Sequence, residues 1–346
     1  MAPINTAASS LKPDEQVIFF NTSAYLDGDG QTWNIPLHGW IFEPEDDSIW
    51  RTAVVEELIR FLELDEQAVG RSLFRQRAKM FLVDNERWKR LPVRVGDHVV
   101  TAKRSGANGH FTGLFRLDRK YVERLARNSW LTVEAVVPAG DDRRFEGAAK
   151  LIGRSGVSVI SDIDDTIKVS NVLDKKELLA NTFLREFQAV AGMAEVYRRW
   201  AEAGAVFHYL SSSPWQLYPS LANFITAQGF PRGSFHLQFF RMKDRTFFNL
   251  FTSPEESKYP RIEHIFQTYS DRQFILVGDS GEKDPEVYGA VARHYPHQIK
   301  HIFIRNLSQA SEQHARFSSA FETLPEDRWT VFRNPCDLVK INLHTQ

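Results

Sequence analysis

Short apolar segments alternate with turn residues along the first half of the chain. Such runs, rich in β-branched and aromatic side chains, predict strands at 17–20, 37–42, 79–83, 90–95, 98–102, 110–117, 131–137 and 147–152. A helical insertion interrupts them. Its apolar side chains recur at helical spacing, at Trp50, Val54, Leu58 and Phe61, with Phe74 on a second helix. We predict a disordered segment over residues 1–15, then a β-rich, sandwich-like accessory domain over residues 16–153.

The rhythm changes after about residue 155, where apolar runs alternate with amphipathic segments. The runs predict strands at 157–161, 205–210, 235–240, 274–278 and 299–304. The segments between them predict helices at 192–202, 214–228, 262–269 and 287–295. This alternation is typical of an α/β fold with a parallel sheet and helices on both faces. We assign it to a second domain, residues 154–346.

Composition limits the classes of function. The 346 residues carry a formal net charge of −1, which gives no global field for nucleic acid, and we expect no nucleic-acid partner. The single cysteine, Cys336, excludes an internal disulfide framework and fits a reducing compartment. No apolar run approaches the roughly 20 residues of a spanning helix, and residues 1–14 lack a signal-peptide pattern. We expect a cytoplasmic protein without a transmembrane segment, and leave peripheral membrane attachment open.

The strongest chemical signal is Asp162-Ile-Asp-Asp-Thr, directly after the strand at 157–161. Asp162 and Asp164 would share one side of a continuing strand. One carboxylate can attack phosphorus while its neighbour carries protons, and Mg²⁺ favours oxygen ligands. The alternative is a turn rich in Asp and Thr, with Thr166 as one of its members.

Three further groups follow in chain order. Ser211 ends a predicted strand and would bind a phosphate oxygen, while Ser213 and Pro214 fit the cap and first turn of a helix. Lys258 would neutralise phosphate as a point charge, although most lysines are solvated. Asp279 ends another predicted strand and would bind a metal. Asp284, followed by proline, either supports the site or caps the next helix.

With these four groups in this order, residues 155 to about 305 resemble the haloacid-dehalogenase (HAD) superfamily. Three stretches resemble the actin-patch-associated type of Mg²⁺-dependent phosphatidate phosphatase and its bacterial relatives. They are Ser161-Asp-Ile-Asp-Asp-Thr-Ile-Lys-Val, Phe207-His-Tyr-Leu-Ser-Ser-Ser-Pro-Trp-Gln-Leu-Tyr and Val277-Gly-Asp-Ser-Gly-Glu-Lys-Asp-Pro. The resemblance implies a HAD-like Rossmannoid sheet and a phosphatidate phosphatase catalytic domain.

The resemblance also implies roles for these residues. Asp162 would form an aspartyl-phosphate, and Asp164 would protonate the leaving group and then activate water. Mg²⁺ would be held by Asp162, the backbone carbonyl of Asp164, and Asp279. Ser211 and Lys258 would hold the phosphoryl group. Thr166 and Asp284 would support the site, with Asp165 left as a turn or solvent-facing residue.

One further segment interleaves basic and aromatic side chains between predicted strands. It contains Arg241, Lys243, Arg245, Phe247 and Phe248. Such a segment could lie against a lipid surface, or its rings could cover the core while its charges face water.

The leading hypothesis from the sequence is a Mg²⁺-dependent phosphomonoesterase that converts phosphatidate to diacylglycerol. A phosphatase of soluble or protein phosphates remains an alternative, as does a membrane- or protein-binding adaptor with a non-catalytic HAD domain. The intact acids, hydroxyl and lysine speak against lost catalysis.

Overall fold

The computed structural model describes residues 8–44, 72–239, 258–308 and 312–340. The predicted helical insertion from Trp50 to Phe61 and the basic–aromatic segment at 241–251 lie outside these ranges. The described residues fall into two compact units. The first draws on Met1–Ser48, Lys79–Gly153 and Gly233–Phe235, and the second on the remainder. The domain limits set from the sequence stay a prediction.

The first unit is built on strands that pair into one network. Its strands are β1 Gln16–Phe19, β2 Thr22–Leu26, β3 Thr32–Glu43, β4 Asp84–Asn85, β5 Pro92–Val95, β6 His98–Thr101, β7 His110–Asp118, β8 Trp130–Ala135 and β9 Glu146–Ile152. Helix α1, Ser72–Lys79, precedes β4, and helix α2, Arg119–Leu125, follows β7. The strand order is β1-β3-β2-β9-β8-β5-β6, with β4 and β7 also paired to β3. The predicted β-rich first half is confirmed.

The long strand β3 organises this network, since β1 and β7 pair with its opposite edges. Two expectations for this region were inaccurate. The predicted strand at 79–83 is instead the end of α1 and a turn, in which the Leu82 N–H donates to the Lys79 carbonyl. Strand β2 was missed because only Ala24 in it is buried, which leaves no apolar alternation to detect.

The second unit alternates strands and helices. Its strands are β10 Val157–Asp162, β11 Val206–Pro214, β12 Ser234–Gln238, β13 Gln273–Asp279, β14 Ile299–Arg305 and β15 Trp329–Phe332. Its helices are α3 Lys175–Phe183, α4 Met193–Glu202, α5 Tyr218–Ala227, α6 Lys258–Thr268, α7 Asp284–His294 and α8 Glu312–Ala320. Short 3₁₀ turns cover Trp215–Leu217, Glu326–Arg328 and Pro335–Lys340.

The sheet of this unit runs in the order β12-β11-β10-β13-β14-β15. The pairs β11–β10, β10–β13, β13–β14 and β14–β15 are parallel. From β10 the chain moves outward through β11 and β12, then returns to β13 on the other side of β10. The β10–β13 junction is therefore a topological switch point, where open α/β sheets place ligands beyond the carboxyl ends of their strands.

Burial explains why these segments become central strands. In β13 every residue from Phe274 to Asp279 is buried, so both faces of the strand are covered. The predicted α/β fold with a parallel sheet and helices on both faces is confirmed. Strand β11 is longer than predicted and extends to Pro214. Helix α3 and strand β15 were not predicted: α3 is weakly amphipathic, and only one of the four residues of β15 is buried.

Candidate active site

Three parallel strands bring the sequence-predicted groups to one edge of the sheet. Asp162 is the last residue of β10 and is in register with Leu210, one residue before Ser211. Asp279 ends β13, the strand on the other side of β10. All three polar side chains are buried. The switch point thus gathers residues that lie more than a hundred positions apart in the chain.

Asp162 lies between a hydroxyl and an ammonium group. The Thr166 Oγ1 donates to its Oδ2 at 3.2 Å, and the Lys258 Nζ donates to its Oδ1 at 2.9 Å. Burial raises the pKa of Asp162 well above its usual value, although the charge of Lys258 opposes this. A fixed carboxylate with one side chain on each oxygen has the orientation that a nucleophile requires.

Lys258 begins helix α6 and contacts three carboxylates at once. Its Nζ lies 2.9 Å from Asp162, 2.6 Å from Asp284 and 2.7 Å from Glu282. Burial alone lowers the pKa of Lys258, but the three carboxylates raise it well above the usual value. Lys258 is therefore a permanent cation at the site.

Asp164 is held by a separate set of groups. Its Oδ1 lies 2.8 Å from the Lys168 Nζ and accepts from the Ser170 Oγ at 2.8 Å. Its Oδ2 accepts from Ser211 at 2.9 Å and Ser213 at 3.0 Å. Burial opposes ionisation of this carboxyl, but Lys168 and the hydroxyl donors prevail and lower its pKa to about 2. Asp164 is an anion in this arrangement.

Asp165 holds the loop that follows the acidic tip. Its carboxylate accepts from the backbone N–H groups of Ser170, Asn171 and Val172 at 2.6–3.0 Å. The residue has a φ of 52° in a turn and is 4% exposed. The turn is as expected from the sequence, but the solvent-facing alternative is wrong, because three donors compensate its burial.

The end of β13 and the start of α7 supply two more acids, Asp279 and Asp284. The Asp279 Oδ1 accepts from the Gly281 N–H at 2.6 Å. Asp284 accepts from Lys258 and, at 3.3 Å, from the Asp279 N–H. Burial raises the pKa values of Asp279 and Asp284, and repulsion between the acids adds to it. The Asp284 carboxylate therefore stabilises the backbone at Asp279.

Two capping alternatives raised by the sequence are wrong. Ser213 lies inside β11 and donates to Asp164, and helix α5 begins only at Tyr218. Asp284 is the first residue of α7, and its carboxylate points to Lys258 instead of to the N–H groups of the helix. Each side chain binds a charged group, Asp164 for Ser213 and Lys258 for Asp284, instead of capping the next helix.

The acids at this edge fit a divalent cation. Five carboxylates cluster here (Asp162, Asp164, Asp279, Glu282 and Asp284); Lys168 and Lys258 form ion pairs with four of them, and Asp279 has no ion pair among the described residues. The buried Asp279 Oδ2 has no hydrogen-bond partner among the described residues. Asp162, Glu282 and Asp284 lie within metal-ligand distance of one another, but Lys258 occupies their centre. The unpaired oxygen of Asp279, next to Asp162, is thus the better position for a hard cation such as Mg²⁺.

A cavity of about 180 Å³ opens onto these groups. Its polar lining includes Asp164, Ser213, Lys258 and Glu282. Its apolar lining consists of Val172, Leu178 and Val287. The cavity thus offers both polar and apolar contacts to a ligand.

Three contributors were missed in the sequence. Lys168 is 2% exposed and its ammonium lies 4.8 Å above the Phe187 ring, yet a lone lysine after a turn carries no pattern that predicts burial. Ser213 was assigned to a cap, and Glu282 to no role. The one available signal for Lys168 was its spacing of four residues from Asp164. The basic–aromatic candidates at 241–251 lie outside the described residues.

The sequence comparisons agree with this geometry. Residues 157–306 match the family described as the catalytic domain of phosphatidate phosphatase APP1. Every strand that supplies a side chain to the site falls inside this range. Residues 157–306 thus resemble a catalytic domain of the APP1 type. The resemblance drawn from the three sequence stretches is thereby confirmed.

Two relatives extend the comparison. Phosphatidate phosphatase APP1 of Saccharomyces cerevisiae is 35% identical over 166 residues, which cover 47% of this chain and 28% of that protein. An uncharacterised protein of Schizosaccharomyces pombe is 29% identical over 204 residues, which cover 56% of this chain and 33% of that protein. The chain thus spans about a third of the length of these curated relatives.

A solved structure also matches part of the chain. D,D-heptose 1,7-bisphosphate phosphatase from Burkholderia thailandensis covers 53% of this chain and 99% of its own, with 14% identity and a TM-score of 0.28. A score this low does not establish a shared fold. Separately, none of the helices in the described part of the chain is long and apolar enough to cross a membrane.

Proposed function

We propose that the APP1-type domain is a Mg²⁺-dependent phosphomonoesterase that acts on phosphatidate through an aspartyl-phosphate on Asp162. The observation that carries this proposal is the fixed, buried carboxylate of Asp162 at the switch point, between Thr166 and Lys258. A carboxylate held by two donors, one of which is Lys258 in the lining of the cavity, is suited to in-line attack on phosphorus.

The residues divide the reaction between them. The Asp162 Oδ attacks phosphorus and the bond to the leaving alkoxide breaks, which leaves the phosphoryl group on Asp162. Lys258 and the Ser211 hydroxyl bind the phosphoryl oxygens as their charge is redistributed. Water then attacks phosphorus and releases inorganic phosphate, which restores the Asp162 carboxylate.

Asp164 is the proton carrier in this scheme. In the geometry described, its carboxylate is ionised and accepts hydrogen bonds, which is the form that takes a proton from the attacking water. To protonate the leaving alkoxide it must first gain a proton and turn from Lys168. Asp164 would take this proton from solvent and regain it from the attacking water after giving it to the alkoxide.

Asp162, Asp279 and the Asp164 backbone carbonyl are the groups that would hold Mg²⁺. The bound cation would offset the charge of the phosphate and of the surplus carboxylates. Asp284 and Glu282 remain bound to Lys258 and keep this ammonium aimed at Asp162.

Two observations favour a lipid phosphate as the substrate. The matched family and the yeast relative both carry the name phosphatidate phosphatase. In addition, the cavity places Val172, Leu178 and Val287 beside its polar groups, which suits a phosphate ester with an apolar leaving group.

Phosphate release tests the proposal directly. We expect the wild type to release phosphate from phosphatidate in mixed micelles with Mg²⁺, and chelator to abolish release. Asp162→Asn keeps the shape of the side chain but removes the nucleophile, and we expect it to be inactive. Activity toward p-nitrophenyl phosphate without activity toward phosphatidate would refute the lipid substrate alone. Full activity of Asp162→Asn would refute the mechanism.

A further inference from the structure

An exposed tryptophan in the first unit has an unusual backbone. Trp88 has a φ of 68°, in the left-handed region, and its side chain is 63% exposed. Bulky residues rarely adopt this conformation, and a residue that keeps it without burying its ring gains no core packing in return. The backbone strain at Trp88 is thus not offset by burial of its ring.

Hydrogen bonds to Ser105 hold the loop in place. The Trp88 N–H donates to the Ser105 carbonyl at 3.0 Å, and the Ser105 N–H donates to the Lys89 carbonyl at 2.8 Å. The Ser105 hydroxyl donates to the Glu86 carbonyl at 2.7 Å and accepts from the Lys89 N–H at 2.9 Å. Ser105 itself is fully buried. The four hydrogen bonds join residues 86–89 to Ser105 in one turn, from which the indole of Trp88 extends into solvent.

Three basic residues adjoin Trp88 and its partner Ser105 along the chain. Arg87 precedes Trp88, and Lys103 and Arg104 lead into Ser105; all three are exposed. Within the described ranges, none of the three has a carboxylate partner. Glu86, in the same loop, and Glu15, just before β1, are both ion-paired with Lys89. We call Arg87, Trp88, Lys103 and Arg104 the Trp88 patch.

We propose that the Trp88 patch binds an anionic lipid surface. Indole rings favour the boundary between water and hydrocarbon, and nearby lysines and arginines are attracted to negatively charged headgroups. The exposed indole of Trp88 suits the water–hydrocarbon boundary, and the three exposed cations suit the negatively charged headgroups. The proposal does not require the phosphatase activity, because the patch belongs to the first unit and would bind lipid in a catalytically inactive chain.

The test is co-sedimentation of the full chain with vesicles that lack phosphatidate. Phosphatidylcholine vesicles with and without 30% phosphatidylserine are compared at low and high salt. The variants are Trp88→Gly, which accepts a positive φ, and the double variant Lys103→Ser/Arg104→Ser. The matched controls are Arg124→Ser/Arg127→Ser, with the same loss of charge in the same unit, and Leu114→Ser, an exposed apolar residue.

We expect binding only to the anionic vesicles, with weaker binding at high salt. The double variant should bind about 25-fold more weakly, since each basic residue near such a surface contributes about fivefold. Trp88→Gly should bind about tenfold more weakly while its thermal midpoint is unchanged or raised. Both controls should bind as the wild type does, and p-nitrophenyl phosphate hydrolysis should be equal in all five proteins.

Three results would overturn the proposal. The first is equal loss of binding in the patch and control variants, which would indicate a general charge effect. The second is vesicle binding by Lys103→Ser/Arg104→Ser that equals binding by the wild type. This variant keeps Trp88, so its binding can be judged without a change in the strained turn. The third is absence of vesicle binding together with patch-dependent binding of a single-stranded oligonucleotide, which would assign the patch to nucleic acid.

Discussion

Two clusters of polar side chains, one in each unit, differ in charge. In the first unit, the His38 Nε2 lies 3.1 Å from the His110 Nδ1, with Phe20 and Trp40 against the pair. Burial lowers the pKa of His110 to about 3 and that of His38 well below its usual value, so both rings are neutral. At the carboxyl edge of the parallel sheet, the buried groups include ion pairs and a surplus of acids.

This difference separates a structural cluster from a binding site. A neutral pair satisfies its hydrogen bonds within the fold and needs no further partner for its charge. An excess of buried carboxylates is costly until a cation joins them. The proposed site thus has groups that a cation would stabilise, whereas the histidine pair is satisfied within the fold. The following predictions test this contrast, from the largest effect to the smallest.

The largest effect is expected at Asp162. Asp162→Asn should lower kcat toward phosphatidate by about 10⁴-fold, because the amide cannot attack phosphorus. His110→Gln, in the half-buried histidine pair of the first unit, should leave kcat within about twofold of the wild type. Steady-state kinetics of the two variants check this. A comparable loss of kcat in both variants would show that the substitutions lower activity by disturbing the fold.

Loss of stability should be largest at the Lys168–Asp164 pair. Lys168→Met fills the space against Phe187 but leaves Asp164 buried without its cation, so we expect a loss of about 3–5 kcal/mol in the free energy of unfolding. The double variant Lys168→Met/Asp164→Asn should recover more than half of this loss, since it also removes the charge. Urea unfolding measures both. A loss below about 1 kcal/mol in the single variant would contradict the ion pair.

The Asp279→Asn substitution should stabilise the metal-free protein and abolish the stabilisation by Mg²⁺. Asp279→Asn removes a buried charge that has an unpaired oxygen, so we expect the metal-free protein to gain about 1–2 kcal/mol of stability. The wild type should gain thermal stability on addition of Mg²⁺, and the variant should not. Differential scanning calorimetry with and without Mg²⁺ checks both. An equal Mg²⁺ shift in both proteins would place the cation elsewhere.

The histidine pair should make the first unit sensitive to acid. Its folded pKa values are lowered, so its stabilising effect is complete above the unfolded value of about 6.5 and is lost as pH falls below it. We expect each ring to contribute a loss of about 1.4 kcal/mol per pH unit in the range from about 6 to 4. Urea unfolding of the wild type and His110→Gln across this range isolates the contribution. Parallel pH profiles would contradict it.

The sequence predicted the sheet edge well because its signals are local. Val157–Asp162 and Gln273–Asp279 are buried on both faces, so each is an apolar run that ends in an acid, and such runs are visible without tertiary information. Asp162, Ser211, Lys258 and Asp279 follow one another along the chain, and all four lie at this sheet edge. The roles of these residues remain proposals.

What was missed depends on contacts between distant elements. Lys168 is exceptional only because Asp164 and Phe187 enclose it, and Asp165 only because the next loop turns back onto it. The Ser213 and Asp284 caps were favoured by local rules, yet buried charges within reach attracted both side chains more strongly. Strand β2 and the exposed ring of Trp88 likewise have no periodic signature.

The most direct test of the account is chemical trapping of the phosphorylated enzyme. The full chain is mixed with phosphatidate and Mg²⁺, quenched in acid and reduced with borohydride, which attacks an acyl phosphate but not a free carboxylate. Mass spectrometry of the peptide that spans β10 should then locate a homoserine at position 162, and chelator should prevent its formation. Release of phosphate at the normal rate with no reduction at Asp162 would contradict the proposed nucleophile.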